Sequence, residues 1–209
     1  EKQAYTSPLL VDLAGKTQLV VVSASRIMGI DPMGGSVLWE YPWQVGYDNA
    51  ICTPLVIPGD RLFVSAGYGV GSVMLKIAAS GDRLTATELW RNRSMKNKFN
   101  ASVLHEGHIY GLDEGVLACV GVEDGERKWR DGRYGYGQLL LASGHLIVLS
   151  GKGDLILVRA NPTELDQRAR FHALDGKTWN VPALAHGRLL VRNAFEMACY
   201  DLRVPSKSN

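Results

Sequence analysis

The run Ala101-Ser-Val-Leu-His105, Glu106-Gly107, His108-Ile-Tyr-Gly-Leu112, Asp113-Glu-Gly115, Val116-Leu-Ala-Cys-Val-Gly-Val122, Glu123-Asp124-Gly125, Glu126-Arg-Lys-Trp129 decides the fold. It reads as four short strands joined by three tight turns, because each apolar run is strand-sized and ends on an acidic residue followed by glycine. Tight hairpin connections often need positive φ, which glycine adopts without a Cβ clash and Asp tolerates better than most residues. The turns therefore dictate an antiparallel meander.

The same pattern recurs from Tyr5 to Trp39, from Ala50 to Trp90 and from Gln138 to Phe171. The closing aromatics stand at 39, 90, 129 and 171, intervals of 51, 39 and 42 residues, within or near the ~40 to 50 residues of one propeller blade. The longest interval has extra residues at Gly67-Tyr-Gly-Val-Gly71 and Ala78-Ala-Ser-Gly-Asp82, read as loop insertions that add little closure entropy. A fifth copy runs through Val181-Pro-Ala-Leu-Ala185, Arg188-Leu-Leu-Val-Arg192 and Glu196-Met-Ala-Cys-Tyr-Asp-Leu202. It then stops, because the tail from Arg203 carries Pro205 and polar residues instead of a fourth strand with an aromatic end. The expected fold is all-β, a β-propeller of four-stranded antiparallel blades over residues 5–43, 49–97, 99–135, 137–179 and 180–204. The last blade lacks one strand, and residues 1–4 are too short to supply it, so the ring is expected to be partial or composite.

Composition bounds the rest. The chain has 209 residues, 46% hydrophobic and 21% charged, with 23 Lys+Arg against 21 Asp+Glu, the profile of an ordinary globular protein. A net charge of +2 and the absence of a nucleic-acid-binding module argue against nucleic acid as a partner. Apolar runs such as Leu19 to Val22 and Leu139 to Ala142 are far below the ~18 residues of a membrane helix. The chain opens on Glu1 without initiator Met or signal-like stretch, which reads as a processed product or fragment.

Cys52, Cys119 and Cys199 form no CxxC pair, so zinc-ribbon and redox motifs are not expected and at least one thiol is free. Cys119 and Cys199 take equivalent third-strand positions and are expected to be small buried side chains. The five histidines, His105, His108, His145, His172 and His186, read as surface residues without metal-ligand spacing. No acid–base pair or nucleophile set stands out, so no catalytic or metal-binding residue is predicted.

Gly29-Ile-Asp31-Pro-Met-Gly34-Gly-Ser-Val-Leu-Trp39 resembles the blade signature of the pyrroloquinoline-quinone-like (PQQ-like) propeller repeat, and Cys119 to Trp129 looks like the same signature with an Glu-Asp-Gly turn. The resemblance covers essentially all of the chain and is similar to the C-terminal half of bacterial PQQ-like propeller proteins related to the outer-membrane assembly lipoprotein of the Bam machinery. It implies a terminal Trp docked on the neighbouring blade and an exported or periplasmic bacterial protein. It also implies eight-bladed rings about twice this length, hence N-terminal blades or a second copy completing the ring. Quinoprotein dehydrogenases of the superfamily hold the quinone between a Trp and a vicinal disulfide, with Ca²⁺ on carboxylate and Asn. This chain has no adjacent cysteines, so no cofactor is expected. PQQ with Ca²⁺ belongs only to the alternative, a PQQ-dependent oxidoreductase whose remaining ligands lie in missing blades. The first expectation is a non-catalytic scaffold for a protein or extracellular ligand.

Loops leaving the last strand of each blade gather at one mouth of the channel. They bring Trp43, Tyr47, Asp48 and Asn49 from the first junction, and Arg93, Lys96, Asn97 and Lys98 from the second. Arg133 and Tyr136 come from the third, Lys177 and Trp179 from the fourth. Cations interleaved with aromatics and Asn suit an anionic or planar ligand, and Arg91 to Lys98 holds four cations without an acid.

Overall fold

The computed structural model describes residues 4–81 and 83–203. The expectations placed on residues 1–3, Asp82, the tail from residue 204 with Pro205, and the side chain of Asp48 lie outside the described residues.

Nineteen strands form five antiparallel sheets, each a sequential meander, four with four strands and the last with three. Blade 1 is β1 (Leu9–Leu13), β2 (Lys16–Val22), β3 (Arg26–Ile30) and β4 (Val37–Pro42). Blade 2 is β5 (Leu55–Ile57), β6 (Arg61–Ala66), β7 (Gly71–Ser80) and β8 (Arg83–Asn92). Blade 3 is β9 (Val103–His105), β10 (His108–Asp113), β11 (Val116–Gly121) and β12 (Arg127–Arg133). Blade 4 is β13 (Gln138–Ala142), β14 (His145–Leu149), β15 (Asp154–Arg159) and β16 (Asp166–His172). Blade 5 is β17 (Ala183–Ala185), β18 (Arg188–Arg192) and β19 (Met197–Asp201). In all five, the turn between the first two strands has two successive residues at positive φ, such as Glu106 with Gly107 and His186 with Gly187, the conformation that matches the twist of the flanking strands.

The blades are held by four apolar seams. Val20, Ile27, Trp43, Val64 and Val73 fill the first, and Phe63, Met74, Ile109 and Val120 the second. Tyr110, Leu117, Val148 and Ile156 fill the third, and Leu149, Leu155, Leu189 and Val191 the fourth. Each blade thus buries its faces only against its chain neighbours, the arrangement of a repeat protein. No fifth seam joins blade 5 to blade 1 among the described residues, and Leu10, Val37, Leu190 and Met197 are exposed on the two end blades.

The closing aromatics lock these seams. Trp90 Nε1 donates to Val122 O at 2.9 Å, and Trp129 Nε1 donates to Asn161 O at 2.7 Å, each in the next blade. Phe171 meets Tyr200 edge to face, with centroids 5.2 Å apart. Trp39 differs, donating to Gln18 Oε1 within its own blade, because the outer connection of blade 2 is no short turn. There the extra residues around 78–82 are mostly strand, extending β7 and β8 to ten residues each. This corrects the expectation of a loop insertion: the added residues pair with one another, and Tyr41 OH donates to Glu88 on this long hairpin.

Cys119 is buried as expected, and burial pushes its thiol up to about 11. Cys199 is exposed. The correction has a simple cause: the corresponding face of blade 3 is covered by blade 4, whereas no further sheet among the described residues covers blade 5.

Candidate functional site at the channel mouth

Strands alternate direction, so the turn joining the second strand to the third emerges at the same end as the linker leaving the fourth. The mouth is therefore built from both. The two are stitched by backbone hydrogen bonds: Trp43 N donates to Ser25 O, Tyr134 N to Gly115 O, and Ala173 and Leu174 N to Gly153 O, all at 2.8 to 3.1 Å. Each linker also bonds onward to the next blade, as in Glu114 N to Lys96 O at 3.0 Å.

From this scaffold a continuous belt of aromatics and cations spans the blades. Tyr47, 86% exposed, meets Tyr68 edge to face at 5.4 Å. Asn49 Nδ2 lies 3.4 Å from Tyr68 OH. Lys98 Nζ sits 4.3 Å above the Tyr68 ring and 4.9 Å from that of Tyr136, and donates to Tyr136 OH at 3.2 Å. The hydrogen bond with Tyr136, aided by the charge of Glu114, holds the Lys98 ammonium above its usual pKa. Phe99 packs edge to face on Tyr136 at 5.4 Å and stacks on Trp179 at 5.0 Å. Lys177 Nζ lies 3.5 Å from the Trp179 centroid. With Phe99 on one face and Lys177 over the ring, Trp179 serves as a fixed platform for a cation.

The structure thus brings Tyr47, Asn49, Lys98, Tyr136, Lys177 and Trp179 together, while Arg133 lines a neighbouring depression over blades 3 and 4. The others have different places. Trp43 is fully buried in the first seam, with Arg91 Cζ 5.1 Å from its ring centroid. Asn97 is 1% exposed. Its N–H donates to Ser65 Oγ, its Nδ2 to Asn100 Oδ1 at 2.8 Å, and its Oδ1 accepts from Ser102, so it staples blade 2 to blade 3. Lys96 Nζ pairs with buried Asp113 at 2.6 Å. Arg93 is exposed beside this cluster, with its carbonyl accepting from Arg127 at 3.3 Å.

Sequence reasoning passed over the turns between second and third strands. They supply Tyr68 and Lys152 to the mouth, with Asp154 at the start of β15, and the antiparallel alternation alone would have pointed to them. His172 is a surface residue, as expected, but it has carboxylate partners that the sequence did not point to. Asp154 and His172 are opposite in the β15–β16 register, and His172 Nδ1 lies 2.9 Å from Asp154 Oδ1 while Nε2 lies 2.8 Å from Asp175 Oδ1. A neutral imidazole has one N–H and cannot donate to both. The hydrogen bonds with Asp175 and Asp154 accordingly raise its pKa, and those with His172 and Arg170 lower that of Asp154.

The sign of the linkage follows. A raised folded-state pKa means that the His172 contribution is complete below its unfolded value of about 6.5 and is lost as pH rises through the folded value. A nuclear magnetic resonance titration is expected to place His172 above the ordinary histidine value of about 6.5. The stability difference between the native chain and His172→Gln is expected to shrink as pH rises from about 6 to about 9. A difference that grows over that range contradicts the clamp.

An array of antiparallel meanders packed blade on blade, with the outer-strand aromatics of blades 2, 3 and 4 docked on the next blade, is that of a PQQ-like β-propeller. The chain belongs to the family described as outer membrane protein assembly factor BamB, whose model matches residues 1–131. Among curated proteins, no sequence matches. Similar solved structures include BamB from Moraxella catarrhalis, 14% identical with a TM-score of 0.70 over 94% of this chain and 58% of that one. The quinohemoprotein alcohol dehydrogenase of Comamonas testosteroni is 14% identical, with a TM-score of 0.60 over 91% of this chain and 40% of the enzyme. The computationally designed Ika8 protein is 8% identical, with a TM-score of 0.53 over 90% of this chain and 67% of that one. At such identities the likeness concerns the fold alone, and the chain spans little more than half of the BamB structure. Among the described residues, no helix is long and apolar enough to cross a membrane.

Proposed function

We propose that this chain is a non-catalytic, exported bacterial propeller, working in the periplasm, that holds an acidic segment of a protein partner against its channel mouth. The observation that carries this reading is the belt from Tyr47 through Lys98 to Lys177, whose cations are preorganised on aromatic faces. Fixed cations lose little freedom on meeting a carboxylate. The assembly role in the family's description supports a protein as the partner. The bare apolar faces of blades 1 and 5 support completion of the ring by further blades or a second copy.

Likeness to a quinohemoprotein enzyme favours a second reading, a PQQ-dependent oxidoreductase. The residues present do not fit that group. The cysteines are far apart in sequence, the Trp179 ring is occupied by Phe99 and Lys177, and no trio of His, Cys, Asp or Glu among the described residues could hold a metal ion.

Titration with a short polyglutamate peptide, read by tryptophan fluorescence, tests the proposal. Saturable binding is expected, weakened at least about tenfold in Lys98→Glu. Equal binding by the two proteins contradicts it.

A further inference from the structure

Two depressions open side by side at the mouth over blades 3 and 4 and the linker that leaves blade 4. The first, about 390 Å³, has Arg133, Lys152 and Arg170 on its rim and Tyr134, Tyr136 and Trp179 in its wall. The second, about 540 Å³, is lined by Lys152, Asp154, His172 and Lys177. Gly151, Lys152 and Asp154 belong to both, so they are two ends of one basin.

Its charge is lopsided. Arg133 ends β12, Lys152 stands in the turn between β14 and β15, and Lys177 lies in the linker after β16; none has a carboxylate partner among the described residues. Lys177 is held over the Trp179 ring instead. The one acid in the lining, Asp154, is already neutralised twice: Arg170 Nη2 lies 2.5 Å from Oδ2 and His172 2.9 Å from Oδ1. It therefore leaves the three other cations to an external anion.

We propose that this basin binds a phosphate monoester carried on a sugar-sized body. Lys152, common to both depressions, with Arg133 on the first and Lys177 on the second, suits a group with about −1.5 to −2 charges and three strong acceptor oxygens, whereas a single carboxylate offers one charge and two oxygens. The first depression lies within the range of roughly 300–1,000 Å³ common for small-molecule sites. Tyr136 in its lining offers apolar surface to the carbon skeleton of the ligand, and the buried Tyr134 beside it in the lining is fixed by donating to Gln167 Oε1 at 3.0 Å. The basin shares Tyr136, Trp179 and Lys177 with the belt of the protein-partner reading, whereas Arg133 and Lys152 belong to the basin alone, so loss of phosphate-ester binding with retained polyglutamate binding in Arg133→Ala, Lys152→Ala separates the two.

Calorimetric titration of the native chain with glucose 6-phosphate, inorganic phosphate and glucose tests the assignment. Saturable binding of glucose 6-phosphate is expected, about tenfold or more tighter than inorganic phosphate, with no measurable glucose binding. The double variant Arg133→Ala, Lys152→Ala loses at least about tenfold in affinity, while Arg83→Ala on the outer hairpin of blade 2 binds as the native chain does. Both cations in the double variant are exposed, and an unchanged urea midpoint verifies that it is folded. Lys177→Gln provides an independent second variant with the same expected direction. Absence of saturable glucose 6-phosphate binding, equally tight inorganic phosphate or glucose, or undiminished binding by the double variant each overturns the assignment.

Discussion

Asp113→Ala is expected to destabilise the chain by about 3 kcal/mol, near the lower end of the range for breaking a buried ion pair. The carboxylate is 1% exposed and is, among the described residues, the sole anion facing three cations: Lys96 Nζ at 2.6 Å, Arg130 Nε at 2.5 Å and Arg127 Nη2 at 3.3 Å. Its desolvation is offset only while all three are in place, and its removal leaves them crowded without a counter-charge. The lower end applies because the arginines remain about one-third exposed and can recover part of their hydration. Arg127 also donates to Ser94 O at 2.8 Å, and Arg130 to Asp113 O at 3.2 Å, so the variant loosens the linker that ends in Lys98. Urea unfolding checks the stability, and a midpoint within error of the native one contradicts this arrangement.

Gly153→Ala is expected to cost about 3 kcal/mol or more, because two penalties coincide. Gly153 has φ +91°, and a Cβ there falls 1.9 Å from Leu174 O, with backbone on both sides of the contact. Backbone cannot rotate away as a side-chain tip can. Relief requires moving residues 173–174 outward, breaking their hydrogen bonds to Gly153 O at 3.0 and 3.1 Å. The same linker carries Lys177 and Trp179, so mouth fluorescence should change along with stability. Gly176→Ala has φ +82° but nothing within 4 Å of the added Cβ and is expected to show only the smaller conformational penalty. If the two variants are equally stable, the close crossing of linker and turn is wrong.

These two sites show what the sequence makes legible. The turns, the meander and the three-stranded last blade are visible because each depends on local chemistry: glycine after an acidic residue, strand-sized apolar runs, and an aromatic at a fixed interval. Asp113 reads as a strand-end residue, and its three cations lie 14 to 17 positions away along the chain, a convergence that only packing determines. In the irregular stretch 93–99 side chains follow no period. Sequence alone could not tell that Lys98 faces the mouth while Asn97 turns inward and Lys96 turns to Asp113. The His172 clamp depends on hairpin register, which a bulge between Leu157 and Val158 shifts. Tyr68 and Lys152 were within reach, since strand alternation alone puts their turns at the mouth.

The most direct measurement of the central claim is site-specific photo-crosslinking of the chain in its native cells, from position 47 at the mouth and from position 33 at the opposite end. Met33 is 93% exposed in the turn between β3 and β4 and serves as an equally accessible control. The expected result is a discrete protein adduct from position 47 that disappears in Lys98→Glu, with none from position 33. Adducts of equal yield from both positions, or an adduct at position 47 unaffected by Lys98→Glu, contradict the account.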